Sequence, residues 1–190
     1  MAEPKEWYSR GYLPHFDHPG LVQMITFRLA DALPASVLAD WQHELPGDTV
    51  AQRRRTEAYL DTGYGSCCLG DPRITRLVED ALLHFDGQRY RLLGWVIMPN
   101  HVHVLIQSLP GYRLPDVIHS WKSFTANAAN RVRQQTGDFW QPEYFDRYIR
   151  DADHFDNALR YIHENPLKAG LVTQPEDWPF SSAARIVDSG

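Results

Sequence analysis

The chain has 190 residues, 43% of them hydrophobic, with six tryptophans and eight phenylalanines, enough apolar mass for one well-cored domain. No run approaches the roughly 20 apolar residues that span a bilayer, the N-terminal stretch has no apolar signal core, and adjacent Cys67 and Cys68 form neither a disulfide framework nor a zinc pattern; a soluble cytoplasmic protein is expected. A net charge of −5, from 19 basic and 24 acidic residues, argues against a nonspecific nucleic-acid coat, which would be strongly basic.

Leu21 to Leu29, "LVQMITFRL", is rich in β-branched and aromatic residues and predicts a first strand. Asp31 to Gln52 predicts one helix with Pro34 near its start, followed by the polar connection "TGYGSCCLGDP". Ile74, Leu77, Val78, Ala81 and Leu82 fall at helical spacing within Arg73 to Phe85. A "GQ" turn leads into strands at Arg89 to Met98 and His101 to Ser108, linked tightly by Pro99-Asn100. Asp116 can cap a helix to about Gln134, with Val117, Trp121, Phe124, Ala128 and Val132 as its apolar stripe and Lys122, Asn127 and Arg131 off it. "EYFDRYIR", Glu143 to Arg150, predicts a fourth strand. Asp151 then caps a last helix that Pro166 ends, with Gly170 marking the exit.

The order β, α, β, β, α, β plus one helix is the split βαβ, ferredoxin-like α+β arrangement, with a four-stranded antiparallel sheet. A single domain is expected over 1–190, its core at about 20–170 between flanking extensions. The first and third strands form the central pair of that topology, which puts "HVHVLI" in the middle of the sheet.

Strand alternation points His101, His103 and Leu105 to one face and Val102, Val104 and Ile106 to the other. Two imidazoles on one face can reach one metal ion, or they can be two satisfied histidines on an open sheet face. In "DHFDNALRYIHENP", Phe155, Leu159 and Ile162 define the buried side of the last helix. Tyr161 and Asn165 share a flank one turn apart, offering a phenol and a carbonyl oxygen suited to a hard cation. Tyr161 can equally be an edge-of-core tyrosine. Spacing alone leaves both readings open.

His101-Val102-His103 resembles the His-hydrophobe-His signature of HUH nucleases. With "LLGWVIMPNHVHVLI" and "ALRYIHENPLKAGLV", the chain resembles the single-tyrosine (IS200-like) transposases, most closely their REP-associated branch. "YSRGYLPHFD", "ITFRLAD" and "WPFSS" extend the likeness over about Trp7 to Ala183. The resemblance implies a ferredoxin-like fold, single-stranded DNA with a hairpin as substrate, Mg²⁺ or Mn²⁺ as cofactor, and a nucleoid-associated monomer or homodimer. It implies His101, His103 and Asn165 as metal ligands and Tyr161 as nucleophile. The acidic net charge departs from the basic balance of such proteins.

Between Arg113 and Arg150 the chain carries six Lys/Arg against four Asp/Glu, a locally positive stretch. Lys122, Arg131, Arg147 and Arg150 are the expected phosphate contacts, while Arg53-Arg54-Arg55 reads as a solvated helix face. His154 and His163 are candidates for a base serving Tyr161. Two rival readings stand beside the nuclease: a hairpin-binding relative that has lost cleavage, and a small-molecule metallohydrolase that would use the His pair without Tyr161.

Overall fold

The first and third predicted strands are rich in residues that must be covered on both sides, which suits central positions. In the computed structural model, which describes residues 7–9, 14–16, 18, 20–44 and 49–187, both sit at the sheet centre. Two short strands, β1 (Trp7–Ser9) and β2 (Pro14–Phe16), pair antiparallel as a separate ribbon. The main sheet is built from β3 (Val22–Arg28), β4 (Tyr90–Ile97), β5 (His101–Ser108) and β6 (Phe145–Tyr148). Its order is β4-β5-β3-β6, all antiparallel, which is the ferredoxin-like topology expected.

The helices are α1 (Ala35–Glu44), α2 (Thr49–Leu60), α3 (Pro72–Leu83), α4 (Leu114–Arg133), α5 (Ala152–Lys168) and α6 (Ser182–Val187). One face of the sheet, with Ile25, Phe27, Val102, Val104 and Ile106, packs against Ile74, Val78 and Leu82 of α3 and Val117, Ile118 and Trp121 of α4. The other face, with Met24, Val96 and Leu105, packs against Ala158 and Ile162 of α5. Helices thus bury both sheet faces, and β5, buried except at Gln107, reads as an apolar run interrupted by its histidines until Gln107 and Ser108 end it.

Several expectations are corrected. The single helix predicted over Asp31 to Gln52 is two, α1 and α2, with 45–48 between them outside the described residues. Helix α4 starts at Leu114, not after Asp116, because Pro115 occupies its first turn, where a missing N–H costs nothing. Its buried stripe is Leu114, Val117, Ile118, Trp121, Thr125 and Ala129, whereas Phe124 is 55% exposed and Val132 36%. Pro166 does not end α5. It is buried inside the helix, which runs on to Lys168 before Ala169 N–H closes on the Asn165 carbonyl at 3.0 Å. The fourth strand shrinks to Phe145–Tyr148 at the sheet edge.

Candidate active site

The β3–β5 register sets Thr26 opposite His103 and Arg28 opposite His101, on the face covered by α5. Both imidazoles are buried, His101 at 1% and His103 at 0% exposure. Burial pushes the His101 pKa down to about 3 against a smaller upward effect of the neighbouring Asn165 side chain. Burial, reinforced by His101, drives His103 in the same direction. At neutral pH both rings are therefore uncharged and keep a lone pair for a ligand.

The orientation of each ring is fixed from behind. The Asn100 amide donates to the carbonyls of Leu60 and Tyr64, both at 3.1 Å, which leaves its oxygen as an acceptor for His101 Nδ1–H at 2.7 Å. The His101 lone pair is thereby assigned to Nε2, and the end of α2 is tied to the start of β5. His103 Nδ1 lies 2.7 Å from Thr26 Oγ1. The two Nε2 atoms face each other at 3.1 Å. Without a cation, Thr26 O–H donates to Nδ1 and His103 Nε2–H donates to His101. Were a cation held by both imidazoles, Thr26 would accept from His103 instead, freeing the His103 Nε2 lone pair as a ligand. A hydroxyl can serve either tautomer; a carbonyl or carboxylate could serve one.

The residues fit a divalent cation. Nitrogens 3.1 Å apart are spaced as neighbouring ligands on one ion with bonds of roughly 2.1 Å. Among the described residues no group of three His, Cys, Asp or Glu forms a site, so a third protein donor must be of another type. Asn165 supplies one. It is fully buried and its side chain reaches His101 closely enough to raise that ring's pKa as a hydrogen-bonding neighbour, yet among the described residues neither of its polar atoms makes a hydrogen bond of good geometry. An orphaned carboxamide buried beside two neutral imidazoles is costly unless something binds it.

Tyr161, one turn before Asn165, stacks edge-on against His103 with ring centroids 5.3 Å apart. Lys168 Nζ lies 5.1 Å from the Tyr161 ring centroid and is held by Glu164 at 3.2 Å. A cavity of about 210 Å³ opens beside Tyr161, lined also by Thr26, Glu57, Phe145 and Arg147. The four residues singled out on motif grounds therefore converge.

The basic residues divide. Arg147 lines the Tyr161 cavity. Lys122, on the helix against the opposite sheet face, donates from Nζ to the carbonyls of Gln141 and Pro142 at 2.5 and 2.7 Å, and burial pulls its pKa down to about 8. Arg131 Nε donates to Asn127 O at 3.2 Å, and the Arg150 N–H reaches His154 Nδ1 at 3.3 Å across the α5 cap. His163, the other base candidate, is turned to Ser182 Oγ at 2.9 Å.

Thr26, Asn100 and Glu57 were not singled out from sequence. Thr26 had a weak signal: a short polar residue in a mostly apolar strand that also carries Gln23 and Arg28. Asn100 read as a turn residue, and nothing local shows that its amide supports His101. Glu57 reaches the cavity only through the path of α2.

An antiparallel ferredoxin-like sheet with two imidazoles at its centre, overlaid by a helix bearing a tyrosine, is the arrangement that the His-hydrophobe-His resemblance leads one to expect. Residues 73–165, a span containing all four motif residues, match the family model "Transposase IS200 like". That span is just under half of the chain, and over it the chain is similar to the IS200-like transposases. It is 27% identical over 145 residues to a REP-associated tyrosine transposase of Escherichia coli, covering 75% of this chain and 78% of that one. A Haemophilus influenzae relative carrying the same name in provisional form is 33% identical over 103 residues, 48% of this chain and 57% of that one. The fold also matches the structure of a REP-associated tyrosine transposase bound to a REP hairpin, with TM-score 0.62 and 22% identity over 99% of this chain and 86% of that one. Among the described residues no helix is long and apolar enough to cross a membrane.

Proposed function

We propose that this chain is a metal-dependent endonuclease and strand transferase for single-stranded DNA, cutting beside hairpins through a 5′-phosphotyrosine on Tyr161. The observation that carries the reading is the buried Nε2–Nε2 pair at 3.1 Å, with the buried Asn165 carboxamide, which makes no well-formed hydrogen bond among the described residues, beside it and the Tyr161 ring against His103. His101 Nε2, His103 Nε2 and the Asn165 oxygen would hold Mg²⁺ or Mn²⁺, imidazole favouring the latter. The bound ion would supply Lewis-acid polarisation of the scissile phosphate.

Tyr161 attacks phosphorus: the bond from its phenolic oxygen to phosphorus forms, the bond to the 3′ oxygen breaks, the phenolic proton leaves and the 3′ oxygen is protonated. The ester stores the energy of the broken bond, so a 3′-hydroxyl can reverse the step and join strands. Thr26 and Asn100 keep the imidazoles aimed while this happens. The Escherichia coli relative is named for its association with REP, and the matched structure is of a transposase bound to a REP hairpin, which supports hairpin DNA as the ligand class.

Labelled hairpin DNA with single-stranded flanks, incubated with Mn²⁺ and run on a denaturing gel, tests the reading. A protein–DNA adduct is expected, abolished by chelation and by His101→Ala or His103→Ala while native-gel binding to the hairpin persists. Unchanged metal-dependent cleavage by both variants would contradict it.

A further inference from the structure

We propose that Ser182 is a positioning residue for the reaction, gripping α5 from behind and fixing where Tyr161 and Asn165 stand over the histidine pair. The inference rests on the reading of α5 as the catalytic helix. Helix α5 packs on the sheet through apolar contacts, with Leu159 so close over β4 that a Cβ on Gly94 would lie 2.5 Å from it. Apolar contact is non-directional, so it sets how near the helix lies but tolerates roll and slide. A directional contact is needed to fix those.

His163 provides it. At about 100° per residue it lies roughly 200° around the helix from both Tyr161 and Asn165, so it faces away from the histidines. Its Nε2 is 2.9 Å from Ser182 Oγ. The same hydroxyl accepts from Trp95 N–H at 3.0 Å and donates to Trp95 O at 3.2 Å. One hydroxyl thus uses its single donor and both acceptor positions, taking the third contact from His163 Nε2–H.

The node is itself immobilised. Ile97 N–H donates to Phe180 O at 2.9 Å, Trp178 Nε1–H donates to Ile97 O at 3.0 Å, and Ser181 bridges Val96. Beyond it, Arg185 pairs with the buried Glu79 of α3 at 3.0 Å. The 178–182 segment therefore rides on the open edge of β4, and its serine reaches over to the helix. Displacing reacting groups by about 1 Å can cost on the order of 100-fold in rate, so a back-side anchor has catalytic weight without touching substrate.

The test compares Ser182→Ala, Ser182→Thr and His163→Ala in the full chain at saturating hairpin DNA and Mn²⁺. Ser182→Ala is expected to slow adduct formation about tenfold or more while hairpin affinity stays within about twofold. Amide exchange should quicken along α5 and not along α4. Ser182→Thr should restore the rate, His163→Ala should reproduce the loss, and the double variant should fall no further than either alone. His163→Gln replaces Ser182→Ala if the latter does not fold. An unchanged adduct rate, a loss through affinity alone, or equal exchange gains in α4 and α5 would overturn the proposal. If the wild-type chain forms no adduct, the nuclease reading fails. The grip is then judged on exchange alone: selective quickening of α5 upholds it, and no change sinks it.

Discussion

Thr26 illustrates how much of the chemistry rests on single atoms. Its hydroxyl, 2.7 Å from His103 Nδ1, can donate or accept a hydrogen bond as the far side of the ring requires. Thr26→Val keeps shape and burial but removes that partner, so Mn²⁺ affinity should fall by roughly 10- to 100-fold, as measured by titration calorimetry. Unaltered affinity would mean that the ring needs no partner. The buried rings also make a statement about acid. His101 ionises near 3 in the folded chain against an ordinary 6.5, and His103 is shifted the same way. As pH falls below about 6.5 the unfolded chain takes up protons that the native chain refuses, so stability declines until pH approaches 3. Urea midpoints between pH 7 and 4, in chelator, should therefore drop, and drop less steeply in His101→Asn.

At the scale of elements, Asn100 joins three of them: α2 through the Leu60 carbonyl, the following loop through Tyr64, and β5 through His101. Asn100→Ala removes all three hydrogen bonds from a buried position and should cost about 2–3 kcal/mol in chemical denaturation, with loss of cleavage beyond what instability explains. A cost below about 0.5 kcal/mol would mark the clasp as incidental. The central strands and α3 were legible in the sequence because alternation and 3.6-residue periodicity are local, and Asp71 caps α3 through the Arg73 N–H at 2.9 Å. The register of α4 was not. Phe124 and Val132 match a helical stripe as well as Ile118 and Thr125 do, and only packing against α3 and the sheet selects between them. Pro166 misled for a related reason: it sits close enough to the helix end that its missing N–H breaks little of the ladder, and burial repays the rest.

For the molecule as a whole, motif resemblance and strand alternation singled out His101, His103, Tyr161 and Asn165, and the fold brings these four together on the sheet face that α5 covers. What the sequence could not show is the frame around them. The support from Thr26, Asn100 and Ser182 comes from residues distant in sequence, and the segment on the β4 edge has no periodicity to betray it. Charge is a second long-range property. With a net −5, DNA affinity must come from local placement, and of the four basic residues expected at phosphate, Arg147 lines the Tyr161 cavity while Lys122 spends two donors on backbone carbonyls. Arg147→Gln should weaken hairpin binding and reduce the salt slope by about one, and Lys122→Gln should do so less. Equal effects, or binding indifferent to salt, would refute that ranking.

In the proposed mechanism Tyr161 attacks the DNA. Tyr161→Phe deletes one oxygen from a half-buried ring and should change stability by less than about 1 kcal/mol, leaving a protein that still shifts a hairpin on a native gel. The direct measurement is peptide mapping by mass spectrometry of the wild-type adduct formed with hairpin DNA and Mn²⁺. The nucleotide should be found on the tryptic peptide containing Tyr161, with no adduct at all from Tyr161→Phe. An adduct mapped to Tyr144 or Tyr148, or cleavage undiminished in the phenylalanine variant, would contradict the account.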